Sequence, residues 1–191
     1  MLEDLLIEIK GCQICKDNLP FAPNPVLKAS ETSKLLIVGQ APGTKVHASG
    51  IPWDDQSGKL LREWLKIDMD TFYNEEKVAI IPMGFCYPGK GPSGDLPPRK
   101  ECAEHWHQKL LNRLPNVEFS LLIGQYAQNY FLGDQMKRNL TETVNSFHEY
   151  LPKYLPLPHP SPRNRFWFKK NPWFEKEVLP YLQHRIKEIN L

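Results

Sequence analysis

Four short apolar runs decide most of what this chain can become: KLLIVG (Lys34 to Gly39), VAIIPM (Val78 to Met83), FSLLIG (Phe119 to Gly124) and KYLPLP (Lys153 to Pro158). Each is almost unbroken in its apolar character and shows no polar alternation, the pattern of a strand covered on both faces. Segments with helical spacing fall between them. MLEDLLIEIKG reads as a short amphipathic helix, Ser57 as the cap of GKLLREWLK, and Pro97 to Leu114 as a helix. Tyr126 to Leu132 is a short helix closed by Gly133, and Pro172 to Ile189 an amphipathic terminal helix opened by proline. Strand and helix in alternation predict an α/β fold of three layers, αβα, around a central, mostly parallel four-stranded sheet, in a single domain over residues 1–191. Ligand chemistry on such a sheet gathers at the carboxyl ends of its strands. Three polar loops lie there, beginning at Gln40, Gly84 and His159.

The third of these loops belongs to LPLPHPSPRNRFWFKK, Leu155 to Lys170. Prolines fix φ and remove donors, so the stretch is expected to be a stiff loop that holds polar groups in place. Its cations, Arg163, Arg165, Lys169 and Lys170, have no acid among them. The formal net charge of the whole chain is only +2, so any case for an anionic partner rests on this local cluster and not on the total. No apolar run approaches a membrane span, and the N-terminus lacks the basic-then-apolar order of an export signal, which makes the cytoplasm the expected compartment and a membrane partner unexpected. YPGKGPSGDLPP, Tyr87 to Pro98, is expected to be an exposed ordered loop.

The chain has four cysteines: Cys12 and Cys15 as C-x-x-C, then Cys86 and Cys102. Without an export signal, disulfides are not expected, and C-x-x-C points to metal or redox chemistry. Spacing alone leaves three readings open: buried thiols, a zinc site and an iron–sulfur cluster. A thioredoxin-like site fits worse, because this C-x-x-C follows a helix where that one follows a strand.

LLIVGQAPGTKVHASGIPWDDQSGKLLREWL resembles the first motif of the uracil-DNA glycosylase superfamily, nearest its iron–sulfur, thermophile-type branch: Gly-Glu-Ala-Pro-Gly, a spacer, Gly-x-Pro-Phe, then Ser-Gly-x-Leu-Leu. FCYPGKGPSGDLPPRKECAEHW is similar to that branch's third and fourth cysteines and the loop between them, FSLLIGQYAQNYFLG to its third strand and helix, and LPLPHPSPRN to its second motif. The His-Pro-Ser-Pro-Arg-Asn of that motif is closer to the single-strand-selective branch. The matches are collinear from Cys12 to about Asn164.

The resemblance implies a monofunctional DNA glycosylase that hydrolyses the N-glycosidic bond of uracil or another damaged base in base excision repair, acting as a monomer on DNA. It implies that His159 contacts the uracil carbonyl oxygen, that Trp53 stacks on the flipped base, and that Gly39, Ala41 and Pro82 line the base site. It places Ser57, Ser161, Arg163, Asn164, Arg165 and Lys169 against the DNA backbone and Phe166 or Trp167 in the gap the base leaves. It also implies a structural 4Fe-4S cluster on Cys12, Cys15, Cys86 and Cys102, with zinc as the other candidate.

Two departures stand out. Gln40 takes the place of the branch's acid, and an amide orients water but does not accept its proton, which turns attention to Asp54 and Asp55. Pro82 takes the place of the Asn that reads the uracil edge, which leaves hypoxanthine, xanthine and oxidised pyrimidines open as substrates. Both departures suit a second reading, a DNA-binding protein that keeps the fold without catalysis. A third, a zinc-stabilised small-molecule enzyme, rests on the generic sheet pattern. A nucleotide-phosphate loop is excluded, since GQAPG has neither dinucleotide nor Walker spacing.

Overall fold

The structure is a computed structural model that describes all 191 residues. The strands are β1 (Leu35–Val38), β2 (Val78–Ile80), β3 (Lys90–Gly91), β4 (Gly94–Asp95), β5 (Phe119–Ile123) and β6 (Tyr154–Leu157). Helices α1 (Leu2–Lys10), α2 (Thr44–Ser49), α3 (Gln56–Leu65) and α4 (Met69–Tyr73) precede β2 in the chain. After the β3–β4 hairpin, α5 (Lys100–Cys102) runs through a π-helical turn (Ala103–His107) into α6 (Gln108–Leu111). Then come α7 (Gln125–Leu132), α8 (Leu140–Asn145), α9 (Arg165–Lys170) and α10 (Leu179–Glu188). No helix is long and apolar enough to cross a membrane.

The main sheet has the order β2-β1-β5-β6, and every neighbouring pair is parallel. Period-two alternation divides its side chains between two cores. Leu35, Ile37, Ile80, Leu121 and Leu155 face α3 and the C-terminal helix, meeting Leu61, Trp64, Phe174 and Leu182. Leu36, Val38, Ala79 and Leu122 face the other way and meet Ile9, Phe85, Trp106 and Leu110. Both faces are covered, which is why these strands carry so little polarity in the sequence. The chain leaves β1 toward β2 and returns past β1 to β5, so the winding reverses between β1 and β5, the place where a crevice opens at the strand ends.

Several boundaries differ from expectation. Helix α3 begins at Gln56, and its cap is Asp55, whose side chain accepts from the Gly58 amide at 2.8 Å; Ser57 lies inside the first turn. Both residue types cap well, but only Asp55 sits three residues before the free amide it reaches. The segment from Pro97 turns helical only at Lys100. The Gly/Pro-rich loop folds into the β3–β4 hairpin, and the tail of the basic stretch is helix α9, preceded by a 3-10 turn with Pro162 at its start. Pro180 has no amide to offer the Lys176 carbonyl, and the terminal helix widens into a π turn over Phe174–Val178 before α10.

Candidate active site

A cleft opens at the carboxyl ends of the strands. It is lined by Gly39 to Gly43 after β1, by Pro52, Trp53 and Asp55 before α3, by Pro82 after β2 and by His159 after β6. Of the sequence candidates for catalysis and base contact, Gly39, Gln40, Ala41, Trp53, Asp55, Pro82 and His159 therefore come together. Asp54 does not; it lies on an outer groove with Lys45, Lys59 and Arg62.

Trp53 forms one wall through a backbone built around it. Its φ of 58° is left-handed, a conformation that costs a bulky residue energy and needs surrounding support. Support comes from its carbonyl, which accepts from Tyr73 Oη at 3.4 Å and Arg62 Nη1 at 3.5 Å. Glycine is required on both sides: a Cβ at Gly58 would fall 1.8 Å from the Trp53 carbonyl oxygen, and one at Gly39 would fall 2.9 Å from the indole. The Ser-Gly-x-Leu-Leu glycine thus exists to let the helix pass this carbonyl. Gly58→Ala is expected to cost about 3 kcal/mol or more, a fall of about 10 °C in melting temperature, because a backbone atom cannot rotate away as a side chain can. Differential scanning calorimetry reads this directly, and an unchanged melting temperature would mean the turn relaxes freely.

His159 faces the indole, with ring centroids 5.5 Å apart at 32°. Its carbonyl accepts from the Ser161 amide and from Asn164 Nδ2, each at 2.8 Å, so the loop closes on its own backbone and fixes the ring's base. Burial pushes the His159 pKa down, opposed by the fields of Asp55 and Asp95, so the imidazole is neutral at neutral pH. A neutral ring still has one N–H to donate.

Gln40 lies on the cleft floor against Gly124, where a Cβ would meet its Nε2 at 2.7 Å. Gly124 has φ of 84°, so this glycine answers both to backbone conformation and to the amide packed on it. Asp55 reaches the cleft while one carboxylate oxygen is held by its own helix.

Pro82 offers no side-chain group, and its carbonyl is already engaged by His107 Nε2 at 3.0 Å. His107 is fully buried, stacks on Phe85 with centroids 5.6 Å apart, and has no partner for Nδ1. Burial pushes its pKa down from 6.5 to about 4, against the raising effect of the Pro82 carbonyl, and a second proton would have to sit on the unpartnered Nδ1. The folded state takes up this proton later than the unfolded chain as pH falls. Stability attributable to His107 is therefore intact above about pH 6.5 and is lost progressively toward pH 4, by roughly 3 kcal/mol across the window. His107→Gln keeps a donor without the titration. Urea unfolding at pH 7 and pH 4.5 is expected to show the variant losing less stability than the parent; equal losses would remove His107 from the acid response.

One carboxylate in this neighbourhood was missed by the sequence reading. Asp95, at the end of the hairpin, lies with Oδ2 3.6 Å from where a Cβ on Gly43 would stand. Its field reaches His159, and the Tyr87 hydroxyl faces it. Beside it runs a ladder of rings, Tyr87, His47 and Phe21, the last 54% exposed. Alternation and spacing carry no signal for a hairpin's tip, so Asp95 was not legible.

The basic stretch divides. Arg163, Arg165, Lys169 and Phe166 are exposed, Arg165 lying over the Phe166 ring and Arg163 reaching the hairpin at Gly94. Trp167 turns inward, donating from Nε1 to Thr141 Oγ1 at 2.8 Å and packing on Phe174 and Trp173, so Phe166 is the aromatic left free on the surface. Asn164 is committed to the His159 carbonyl, and Ser161 accepts from the Arg163 amide at 3.2 Å. Ser57 is half-buried in the first turn of α3.

All four cysteines line one small cavity together with Phe85 and Arg99. Burial, helped by the neighbouring thiols, pushes Cys86 up to about 11 and Cys102 up to about 12. Such thiols give up their protons only to a bound cation. No three His, Cys, Asp or Glu side chains are set closely enough for a single metal ion. A single zinc needs its sulfurs about 2.3 Å from one point. Four thiols converging on one cavity are a donor set that zinc or an iron–sulfur cluster can take.

A profile of the Uracil DNA glycosylase superfamily matches residues 28–183. Two solved structures align along most of the chain. One is a solution NMR structure of a candidate uracil DNA glycosylase from Methanosarcina acetivorans, 16% identical, covering 84% of this chain and 98% of that one with a TM-score of 0.46. The other is the crystal structure of wild-type SMUG2 from Pedobacter heparinus, 12% identical, covering 98% of this chain and 94% of that one with a TM-score of 0.40.

Proposed function

Since this chain belongs to the uracil-DNA glycosylase superfamily, we propose that it is a monofunctional DNA glycosylase that hydrolyses the N-glycosidic bond of a damaged base, uracil first among the candidates, and leaves an abasic site. The observation that carries the reading is the pairing of a neutral, loop-locked His159 with the Trp53 ring across a cleft at the strand ends. A base turned out of the stack needs a planar wall and a donor aimed at a carbonyl oxygen. Trp53 supplies the wall. As the C1′–N bond breaks, its electron pair leaves with the base, and the His159 N–H stabilises the charge that develops on the carbonyl oxygen. Gln40 orients water at the floor, and the free oxygen of Asp55 favours positive charge on the sugar.

Base selection differs from that implied by the family's Asn, since Pro82 has neither a polar side chain nor a free carbonyl. Hypoxanthine and xanthine therefore stay beside uracil as substrates. Arg163, Arg165 and Lys169 would meet phosphates, and exposed Phe166 would enter the gap in the stack. Asn164 and Ser161 act by holding the loop.

Cys12, Cys15, Cys86 and Cys102 would hold a 4Fe-4S cluster with a structural role, tying the segment after α1 to the loop after β2. Arg99 lies against the Cys15 sulfur and pairs with Glu101, placing a cation beside the thiolates.

The test is a panel of labelled oligonucleotides, single- and double-stranded, bearing uracil, hypoxanthine, xanthine or no lesion, followed by alkali. Strand breaks at one lesion are expected. A chain that binds DNA with strong salt dependence yet breaks none would instead be a binding protein on the same fold, the reading that the absence of a carboxylate at position 40 favours.

A further inference from the structure

We propose that Asn24 is a positioning residue that couples the cysteine cavity to the base cleft: through it the state of the cavity, filled or empty, reaches two walls of the cleft, Val26 and Val46. The inference rests on the glycosylase reading above and adds a means of regulating the same site.

The segment from Pro23 to Lys28 touches both places. Pro23 and Pro25 wall the cavity, and the Asn24 amide faces the Cys86 sulfur. Val26, two residues on, is buried and lines the cleft. Its amide donates at 2.8 Å to the carbonyl of Phe85, the residue before Cys86. Lys28 then exchanges two backbone bonds with Ile80, at 3.0 and 2.7 Å, so the segment lies antiparallel along β2 as an added edge. Ile80 is itself part of the cleft wall. Prolines at 23 and 25 fix their own φ and hold Asn24 extended, so the segment has little slack between the cavity and Val26.

The second arm is the Asn24 side chain, whose Nδ2 donates to the His47 carbonyl at 2.8 Å. His47 belongs to α2, a helix of six residues with Val46 as its one buried residue. This is the one hydrogen bond that joins α2 to a distant part of the chain. The His47 ring also stacks on Phe21, three residues before Asn24, with centroids 5.3 Å apart. Val46 lines the cleft, and the loop from Gly39 to Gly43 runs straight into α2, so the seat of this short helix sets one side of the base site.

A metal group in the cavity holds the cysteines and prolines apart. Emptying the cavity removes what its walls pack against, and they close inward. Asn24 passes that movement to Val26 along the chain and to Val46 by its hydrogen bond. The coupling is mutual, so a base in the cleft in turn favours the filled cavity.

The experiment measures affinity for an oligonucleotide carrying the lesion the parent cleaves, made resistant by a 2′-fluorine, against the same oligonucleotide without a lesion. Each protein is read by fluorescence anisotropy after anaerobic reconstitution with iron and sulfide and again after emptying with a chelator, with melting temperatures alongside. In the parent, the preference for the lesion is expected to fall about tenfold on emptying. In Asn24→Ala, and in Asn24→Asp, which keeps the shape without the donor, the preference starts low and that fall shrinks to about threefold or less. Variants whose preference still falls as far as the parent's, or a parent whose preference does not change, overturn the coupling and leave the glycosylase reading standing. If the emptied parent is unfolded, the reconstituted proteins decide: the thiolate-to-metal absorption of the parent is expected to shift when the lesion oligonucleotide is added and that of Asn24→Ala to stay, and equal responses overturn the coupling. A parent that cleaves no lesion overturns the glycosylase reading, and the coupling with it.

Discussion

Replacing His159 with alanine is expected to lower the single-turnover rate of base excision by about a hundredfold to a thousandfold, with little change in melting temperature. The ring sits between Pro158 and Pro160, and its carbonyl is held twice, by the Ser161 amide and by Asn164. The loop therefore keeps its shape when the ring is removed, and what is lost is the donor and the surface against Trp53. Because burial lowers the ring's pKa, its neutral form persists to lower pH than an exposed histidine's, and no loss of rate near neutral pH should trace to His159. Asn164→Ala, which frees the carbonyl while leaving the ring, should give a smaller loss. An alanine variant at position 159 as fast as the parent would show that charge on the leaving base is stabilised elsewhere.

The second large effect belongs to the cysteine cavity. Cys86→Ala is expected to abolish the brown colour and iron content of protein reconstituted anaerobically with iron and sulfide. It should also lower the melting temperature by about 10 °C, the equivalent of about 3 kcal/mol. The reason is chemical. Thiols pushed up to about 11 and about 12 are protonated on their own, and their cavity is walled largely by Phe85, Leu19 and prolines. Losing one ligand leaves three thiols, a hole and a loop no longer tied to the segment after α1. A variant that keeps its iron and its melting temperature would take Cys86 out of the ligand set. Zinc in place of iron in the purified parent would overturn the cluster itself.

Where the sequence was readable, the cause was burial. Leu35–Val38 and Phe119–Ile123 are covered on both faces, so every position had to be apolar or small, and the run announces a strand without help from its neighbours. The prolines around His159 and the cap-and-apolar pattern of α3 are likewise local signals, as is the collinear order of motifs from Cys12 to Asn164. The fold class, the parallel sheet and the family were all within reach of such signals.

What the tertiary structure alone decided are choices between neighbours and meetings between distant residues. Phe166 and Trp167 are adjacent aromatics with the same local surroundings; the turn of about 100° between successive helix residues sends one to solvent and the other to Thr141, and only the packing of α9 says which. Asp54 and Asp55 differ by one position; both border the outer groove, and only Asp55, the extended cap of α3, also reaches the cleft. Asp95 meets Gly43 across about fifty residues of chain, His107 meets Pro82 through the π turn after Cys102, and four cysteines from three segments meet at one cavity. Local propensity acts over a few residues, so it can state what each segment is; where segments touch depends on how both faces of the sheet are filled, which no single segment contains.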